Sequence, residues 1–233
     1  MPRRKRPPRT QRSEHWIRVA VNECSHALNT QVSNLFGWNK GDQITWVSPI
    51  ASDGYAEYFD QAFLDRLGVR DVKVPLYDFW PHSGPRWDGL ARTESGKLLL
   101  VEAKAYIEEA VDYGSAAGST SLGKIKTALS DAKSCFGASD DATWESPFYQ
   151  YANRLAHLYY LRQLNKLDAY LLFLYFADAP DVPKPCSAEK WQGAERLIKK
   201  ALGLGAHRFQ ECVCTLIWSV PEMRSPSAPR LLS

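Results

Sequence analysis

An apolar run that ends in two opposite charges is the strongest constraint on how this 233-residue chain can fold. Residues 98–101 are Leu-Leu-Leu-Val, and Glu102 and Lys104 follow at once, separated only by Ala103. Such a run is typical of a buried β-strand, in which a carboxylate or an ammonium without a partner costs free energy. The strand is therefore expected to end either in a paired set of charges or in a functional site.

A turn places an aspartate beside this strand end. The loop Glu-Ser-Gly at 94–96, with its glycine in a left-handed conformation, is typical of a three-residue hairpin connection. Continuing the pairing outward from this loop sets Asp88 opposite Glu102. Opposed residues, and residues two apart, share a face of a sheet, so Lys104 joins the two carboxylates. A slip of one residue in the pairing would separate the two carboxylates.

These three residue types together predict a metal site. Carboxylate oxygens are hard ligands that bind Mg²⁺ or Mn²⁺ in preference to Zn²⁺, and the chain has no convincing cage of His and Cys residues. A lysine beside the two carboxylates is placed to orient a water molecule. We therefore expect Asp88, Glu102 and Lys104 to form a divalent-metal site.

The basic character of the chain is concentrated in its first residues. The formal net charge is +3, but residues 1–12 hold six of the 29 Lys and Arg residues and no acid. The other 23 bases therefore face 26 acids, which leaves the rest of the chain at −3. With three prolines and no apolar stretch, this segment is predicted to be disordered. It favours phosphate binding through bases that include Arg3, Arg4, Lys5 and Arg6.

Two other roles for this basic segment remain open, a solubility tail and a docking segment for an acidic partner. The segment has no apolar run behind it, so it is not expected to be a secretory signal. The longest apolar run, residues 169–177, is far shorter than the roughly 20 residues of a membrane helix. Five scattered cysteines favour reduced thiols over a disulfide framework. We therefore expect a cytoplasmic protein with no membrane segment.

Periodic segments separated by Gly and Pro indicate one α/β domain over residues 13–220, between the basic tail at 1–12 and a loose segment at 221–233. The predicted helices are 13–36, 55–67, 122–136, 147–166 and 188–202. The predicted strands, besides the two of the hairpin, are 44–47, 72–74, 169–176 and 213–218. The run at 169–176 is typical of a fully buried central strand.

This order of elements resembles the PD-(D/E)xK nuclease superfamily. The residues that carry the resemblance are Trp87-Asp88-Gly89 and Val101-Glu102-Ala103-Lys104, within roughly residues 55–176. The proline that precedes the aspartate in the family is displaced here to Pro85. The resemblance implies a restriction-endonuclease-like core, with a central mixed β-sheet flanked by helices on both faces. An extra N-terminal helix and a C-terminal helix and strand would be added to that core.

The resemblance also implies a reaction. Asp88 and Glu102, with the backbone carbonyl of Ala103, would bind Mg²⁺ or Mn²⁺, and Lys104 would orient the attacking water. The expected reaction is endonucleolytic hydrolysis of DNA, with RNA left open as a substrate. The family often adds a glutamate from the helix before the hairpin, and Glu57 is the candidate here. The alternative is that Glu57 is a first-turn acid favoured by the helix dipole.

The predicted helix at 147–166 carries a polar stripe that includes Gln150, Asn153 and Arg154. Exonuclease branches of the superfamily have a Gln-x-x-x-Tyr motif on such a helix, but here Arg154 stands four residues after Gln150. The functional interpretation is contact of Gln150 or Asn153 with a nucleic-acid phosphate or a metal-bound water. The alternative interpretation is a solvated helix face.

Two other functions remain open. The chain could be a catalytically silent nuclease-fold module that binds nucleic acid or a partner protein. It could also be an unrelated α/β enzyme in which Glu102 and Lys104 form a structural ion pair. Because no second DNA-reading domain is visible, we expect limited sequence specificity, or reliance on a homodimer or a partner protein.

Overall fold

The structure is a computed structural model that describes residues 3–4, 12–112 and 114–223. Its strands are β1 (Arg3–Arg4), β2 (Ile44–Ser48), β3 (Glu57–Tyr58), β4 (Gly89–Thr93), β5 (Leu98–Lys104), β6 (Ala169–Ala177) and β7 (Val213–Ser219). Its α-helices are α1 (Arg12–Asn22), α2 (Ser25–Phe36), α3 (Gln61–Leu67), α4 (Leu76–Phe79), α5 (Ser119–Phe136), α6 (Tyr149–Tyr159), α7 (Ala188–Ala201) and α8 (Val220–Met223). Among the helices of these ranges, none combines the length and apolarity needed to cross a membrane.

Five strands form one mixed sheet in the order β2-β4-β5-β6-β7. The strands β2, β4 and β5 are antiparallel neighbours, whereas β5, β6 and β7 are parallel. The turn between β4 and β5 is short, as antiparallel strands allow. Parallel strands need crossover connections, and α5 and α6 supply one between β5 and β6 while α7 supplies the next. The predicted α/β class with a mixed sheet is confirmed.

Helices cover both faces of this sheet. The helices α1 and α2 pack against β5 and β7 on one face, and α6 and α7 pack against β6 and β7 on the other. Alternate side chains of β6 enter the two cores, because successive residues of a strand point to opposite faces. Leu171, Phe173 and Tyr175 enter the core under α6 and α7, and Leu172, Leu174 and Phe176 enter the core under α1 and α2. The prediction of a buried central strand is confirmed.

The hairpin formed by β4 and β5 has the predicted register. Gly89 lies opposite Val101, and the pairing continues without a shift along the two strands. Gly96 in the connecting loop has a φ of +91°, in the range that favours glycine. Extending the ladder by one residue sets Asp88 opposite Glu102. The even-numbered residues of β5 face α6, so the site lies on the α6 side of the sheet.

The predicted helix at 13–36 is two helices in the structure. The first ends at Asn22, whose side-chain amide donates hydrogen bonds to the carbonyls of Arg18 (2.8 Å) and Pro49 (3.0 Å). These bonds tie the helix end to a loop that is distant in sequence, and α2 begins at Ser25. The apolar periodicity continues across the break, so it predicted one helix.

Only the second half of the predicted helix at 55–67 is helical. Tyr55 and Asp60 have φ values of +55° and +51°, which an α-helix does not contain. The prediction that a helix carries Glu57 is therefore wrong, because Glu57 lies on β3 and pairs with Arg4 of β1. The spacing of aromatic residues in this segment imitates a helical stripe.

Three other segments differ from their predictions. The strand at 72–74 does not form, because the N–H of Val74 donates to the side chain of Asn165 (2.9 Å) instead of to a strand. The helix predicted to reach residue 166 changes to a π-helical turn at Tyr160–Leu164. The segment predicted to be loose from residue 221 begins inside the short helix α8, and Met223 is buried in the core under α1 and α2. Apart from β1 and Arg12, the predicted disordered tail lies outside the described residues, as does 224–233.

Gly89→Ala is expected to lower the free energy of unfolding by about 1 kcal/mol, because the core around this residue is already filled. A Cβ at Gly89 would lie 3.1 Å from Ile17 Cδ1, 3.2 Å from Val101 Cβ and 3.3 Å from a Trp46 ring carbon. The Val101 Cβ belongs to the partner strand and cannot rotate away. Urea denaturation at pH 7 measures the change.

Gly123→Ala is the matched control for this prediction. A Cβ at Gly123 meets no atom within 4 Å apart from its chain neighbours and the backbone of its own helix, and the residue lies inside α5. Replacing a helical glycine by alanine should raise stability by about 0.5–1 kcal/mol. Equal effects of the two substitutions would show that Gly89 is not confined by its neighbours.

Candidate active site

The ends of two neighbouring strands bring Asp88, Glu102 and Lys104 together. Asp88 immediately precedes β4, and its Oδ2 accepts the backbone N–H of Ala103 (2.7 Å), which lies in β5. The ammonium of Lys104 donates to Glu102 Oε1 (2.6 Å). The hairpin register therefore places all three side chains on one face, as the sequence predicted.

The other oxygen of Glu102 is paired with an arginine from α6. Arg154 Nε donates to Glu102 Oε2 (2.6 Å), and Arg154 Nη2 lies 2.5 Å from the same oxygen. The side chains of Glu102 and Arg154 are only 4% and 7% exposed, so this ion pair is almost fully removed from water. Glu102 thus holds one cation on each oxygen.

Two further residues of α6 complete the network. The side-chain carbonyl of Gln150 accepts a hydrogen bond from Lys104 Nζ (2.8 Å), and that of Asn153 accepts one from Arg154 Nη1 (2.6 Å). Gln150 and Arg154 are four residues apart and therefore lie on the same helix face. Because Asn153, Arg154 and His157 are buried, the interpretation of this stripe as a solvated face is wrong.

The burial of Arg154 depends on the segment that precedes β4. Arg154 Nη2 donates to the backbone carbonyl of Arg86 (2.9 Å), and the guanidinium lies 4.9 Å from the centre of the Trp87 ring. An arginine over the face of tryptophan is a favourable cation–π contact. The segment that carries Asp88 is thus attached to α6 through the same guanidinium that pairs with Glu102.

The electrostatic environment of Asp88 opposes its ionisation. Burial raises the pKa of Asp88 well above its ordinary value, and the negative charges of Glu102 and Glu57 raise it further. Lys104 and the N–H of Ala103 offset only part of this effect. A carboxylate in this state gains from a nearby cation, because the cation favours the ionised form.

Glu102 and Lys104 are held in their charged forms. Burial alone would raise the pKa of Glu102, but Arg154 and Lys104 bring it below its ordinary value. Burial alone would lower the pKa of Lys104, but Glu102 and Asp88 raise it. At neutral pH the site therefore contains an ionised Glu102 between two full positive charges.

The buried histidine of α6 remains uncharged. Burial lowers the pKa of His157 to about 3, and Arg154 acts in the same direction. Its Nδ1 lies 2.8 Å from the carbonyl of Asn153, and the rings of Phe63, Phe79, Trp80 and Trp87 surround it. His157 therefore supports the aromatic wall behind Arg154 and carries no charge into the site.

Two carboxylates of the site have the chemistry of Mg²⁺ ligands. Among the described residues, none donates a hydrogen bond to Asp88 Oδ1, which leaves this oxygen open to a cation. Mg²⁺ is commonly held by one or two carboxylates together with water and substrate phosphate, so Asp88 and Glu102 fit it. In the described part of the chain, no group of three or more His, Cys, Asp and Glu residues forms a ready metal cage.

The remaining predicted site residues fall into two groups. Glu57 lies close enough to act on the charge of Asp88, although it reaches the site from β3. Arg3 and Arg4 form the strand β1 beside Glu57 and Tyr58, which places the start of the chain along the strand that pairs with Trp87. Lys5 and Arg6 lie outside the described residues.

The pairing of Arg154 with Glu102 was not predicted from the sequence. The available signal was an arginine four residues after Gln150 on a helix whose other side chains are mostly apolar. A charge in such a helix needs a partner, and Glu102 was the buried carboxylate that lacked one.

Comparisons of the chain with protein-family models, with curated proteins and with solved structures find no match.

Asp88→Asn is expected to raise the free energy of unfolding at pH 7, because it removes a charge that the folded protein disfavours. The pKa of Asp88 is higher in the folded protein than in the unfolded chain, so its ionisation opposes folding. Asparagine is neutral and still accepts the N–H of Ala103. Urea denaturation in the absence of metal measures the gain.

The gain should shrink as the pH falls toward 4. Below the ordinary pKa of 3.8 the carboxyl is protonated in both states, so its charge no longer opposes folding. The control is Asp42→Asn. Although burial opposes it, hydrogen bonds from Lys97 and Ser95 hold the pKa of Asp42 well below its ordinary value. That substitution should lower stability at pH 7, and equal losses for both variants would contradict the account of Asp88.

Proposed function

We propose that this protein is a metal-dependent nuclease of the PD-(D/E)xK type that hydrolyses phosphodiester bonds in DNA. The observation that carries the proposal is the geometry of the hairpin. Asp88 is bonded to the backbone beside Glu102, and Lys104 is bonded to Glu102 itself, all on one face of a mixed sheet. This set matches the roles that a metal-assisted hydrolysis requires.

Each residue has a distinct role in the proposed reaction. Asp88 and Glu102 would hold Mg²⁺ or Mn²⁺, with the backbone carbonyl of Ala103 as a further hard ligand. The metal, when bound, would lower the pKa of a water molecule and offset charge that develops on the phosphate. Lys104 would orient that water, and Gln150 would keep the Lys104 ammonium in place when it leaves Glu102. Glu57 would add negative charge beside Asp88.

The proposed substrate is DNA, and the basic start of the chain supports this choice. Six bases in the first twelve residues favour attraction to a phosphate backbone without sequence preference. β1 pairs with β3, and β3 in turn bridges to Trp87 next to Asp88. β1 therefore lies on the side of the candidate site, and Arg3, Arg4 and the bases that follow would guide DNA there.

One observation favours a second candidate function, a catalytically silent module that binds nucleic acid or a partner protein. Both oxygens of Glu102 are occupied by cations of the protein itself, as in a structural ion-pair network. A silent module would keep this network unchanged whether or not a divalent cation is present. The two functions therefore differ in their response to metal.

Lys104→Ala is expected to lower the rate of plasmid cleavage in Mg²⁺ at least about 100-fold, in line with the loss of a group that assists proton transfer. Asp88→Asn should cause a loss of similar size, because it removes a metal ligand. Cleavage of a supercoiled plasmid, followed on agarose gels over time, measures both.

The matched control is Lys97→Ala. Lys97 directly precedes β5, the strand that carries Lys104. Its ammonium bonds to Asp42 (2.7 Å) at the other end of the hairpin. This variant should cleave at the wild-type rate. Equal absence of cleavage in the wild type, Lys104→Ala and Lys97→Ala would support the silent module instead.

Replacing Arg3, Arg4, Lys5 and Arg6 by glutamine should weaken DNA binding and flatten its salt dependence. Each lost phosphate contact reduces the slope of log affinity against log salt by about 0.9. Fluorescence anisotropy with a labelled duplex, in Ca²⁺ to prevent cleavage, measures the slope. An unchanged slope would assign the tail to one of its other roles.

A further inference from the structure

Glu102 has more positive charge around it than its burial requires. The other buried glutamate among the described residues, Glu195 of α7, accepts hydrogen bonds from the hydroxyls of Tyr151 (3.1 Å), Tyr175 (2.9 Å) and Thr215 (2.6 Å), with Lys199 at 3.1 Å as its cation. Hydroxyl donors and one cation thus suffice for a buried carboxylate in this fold. Glu102 has a second full charge, and this second charge needs a separate explanation.

Arg154 is fixed in its position. Its guanidinium bonds to Glu102, to the side chain of Asn153 and to the backbone carbonyl of Arg86, and it lies over the ring of Trp87. These four contacts, on β5, on α6 itself and on the segment before β4, together with 7% exposure, leave no room for the side chain to turn toward a substrate phosphate. Arg154 therefore acts on the site from its fixed position beside Glu102.

Lys104 is the cation that can leave Glu102. Its ammonium sits on a flexible four-carbon chain and already has a second partner in Gln150 (2.8 Å). A divalent cation that approached Glu102 would thus replace Lys104 at Oε1, while Arg154 remained at Oε2. A guanidinium stays protonated throughout the accessible pH range, so its charge next to that cation is permanent.

We infer that Arg154 is a positioning residue that sets the metal affinity of the site, by acting as a permanent counterion of Glu102. This inference rests on the proposed metal site. A fixed positive charge next to a divalent cation repels it, and the low effective dielectric of a buried site strengthens the repulsion. Arg154 therefore keeps metal binding weak and leaves Glu102 only one oxygen for the metal.

Arg154→Met is expected to tighten Mn²⁺ binding about tenfold, because it removes a fixed charge of the same sign as the metal ion. Methionine fills much of the space but has no charge. Arg154→Lys keeps the charge and should bind Mn²⁺ with close to wild-type affinity. Isothermal titration calorimetry with the full chain and Mn²⁺ alone measures these affinities.

Arg162→Met is the matched control. Arg162 belongs to the π-helical turn after α6 and pairs with Asp168 (2.9 Å), with no contact to the site. Its loss should leave Mn²⁺ affinity unchanged, which separates general destabilisation from the removal of the counterion. If Arg154→Met is too unstable to titrate, Arg154→Gln keeps polar groups near Asn153 and should show the same tightening.

The outcomes separate this inference from the function on which it rests. If the wild type binds Mn²⁺ and a folded Arg154→Met or Arg154→Gln binds it equally or more weakly, the role of Arg154 is overturned. The nuclease proposal then remains intact. Absence of Mn²⁺ binding in the wild type and in every variant would overturn the metal site itself. Tighter binding by Arg154→Lys as well would show that charge is not the cause.

Discussion

The pairing of the Glu102 carboxylate with Lys104 and Arg154 is the interaction on which the rest of the site depends. A carboxylate buried at the end of a central strand is tolerated only when its charge is compensated and its oxygens are bonded. Lys104 supplies one partner from the same strand, and Arg154 supplies the other from α6. This buried charge network therefore fixes α6 against the sheet and determines which helix residues face the hairpin.

The same network brings the proposed function and stability into conflict at Asp88. This carboxylate accepts one backbone N–H, but its burial and its proximity to Glu102 and Glu57 oppose its ionisation. Residues that serve only the fold are not expected to keep such a charge. Ionisable groups with shifted pKa values on a rigid hairpin are typical of functional sites. The conflict at Asp88 therefore supports a functional role for its carboxylate.

Most of the candidate site could be predicted from the sequence because it depends on local geometry. The loop at 94–96 determines the hairpin register, and the register determines that Asp88 faces Glu102. The position of Glu57 and the contacts of the polar stripe of α6 were harder to predict. Backbone conformations at Tyr55 and Asp60 break the helical pattern around Glu57. The partners of Arg154 outside α6, Glu102 and Arg86, are 52 and 68 residues away in the chain.

The sequence by itself determined the α/β class, the hairpin and the shared face of Asp88, Glu102 and Lys104, because turn chemistry and the two-residue period of a strand act over short distances. Only the tertiary structure decided that Arg154 is buried against Glu102 and that Gln150 receives the Lys104 ammonium. These contacts join residues that are 46 and 52 positions apart in the chain. Which of them meet is decided by the packing of α6 on the sheet. The position of a crossover helix over a sheet depends on all the side chains between them, and no local pattern in the sequence records it.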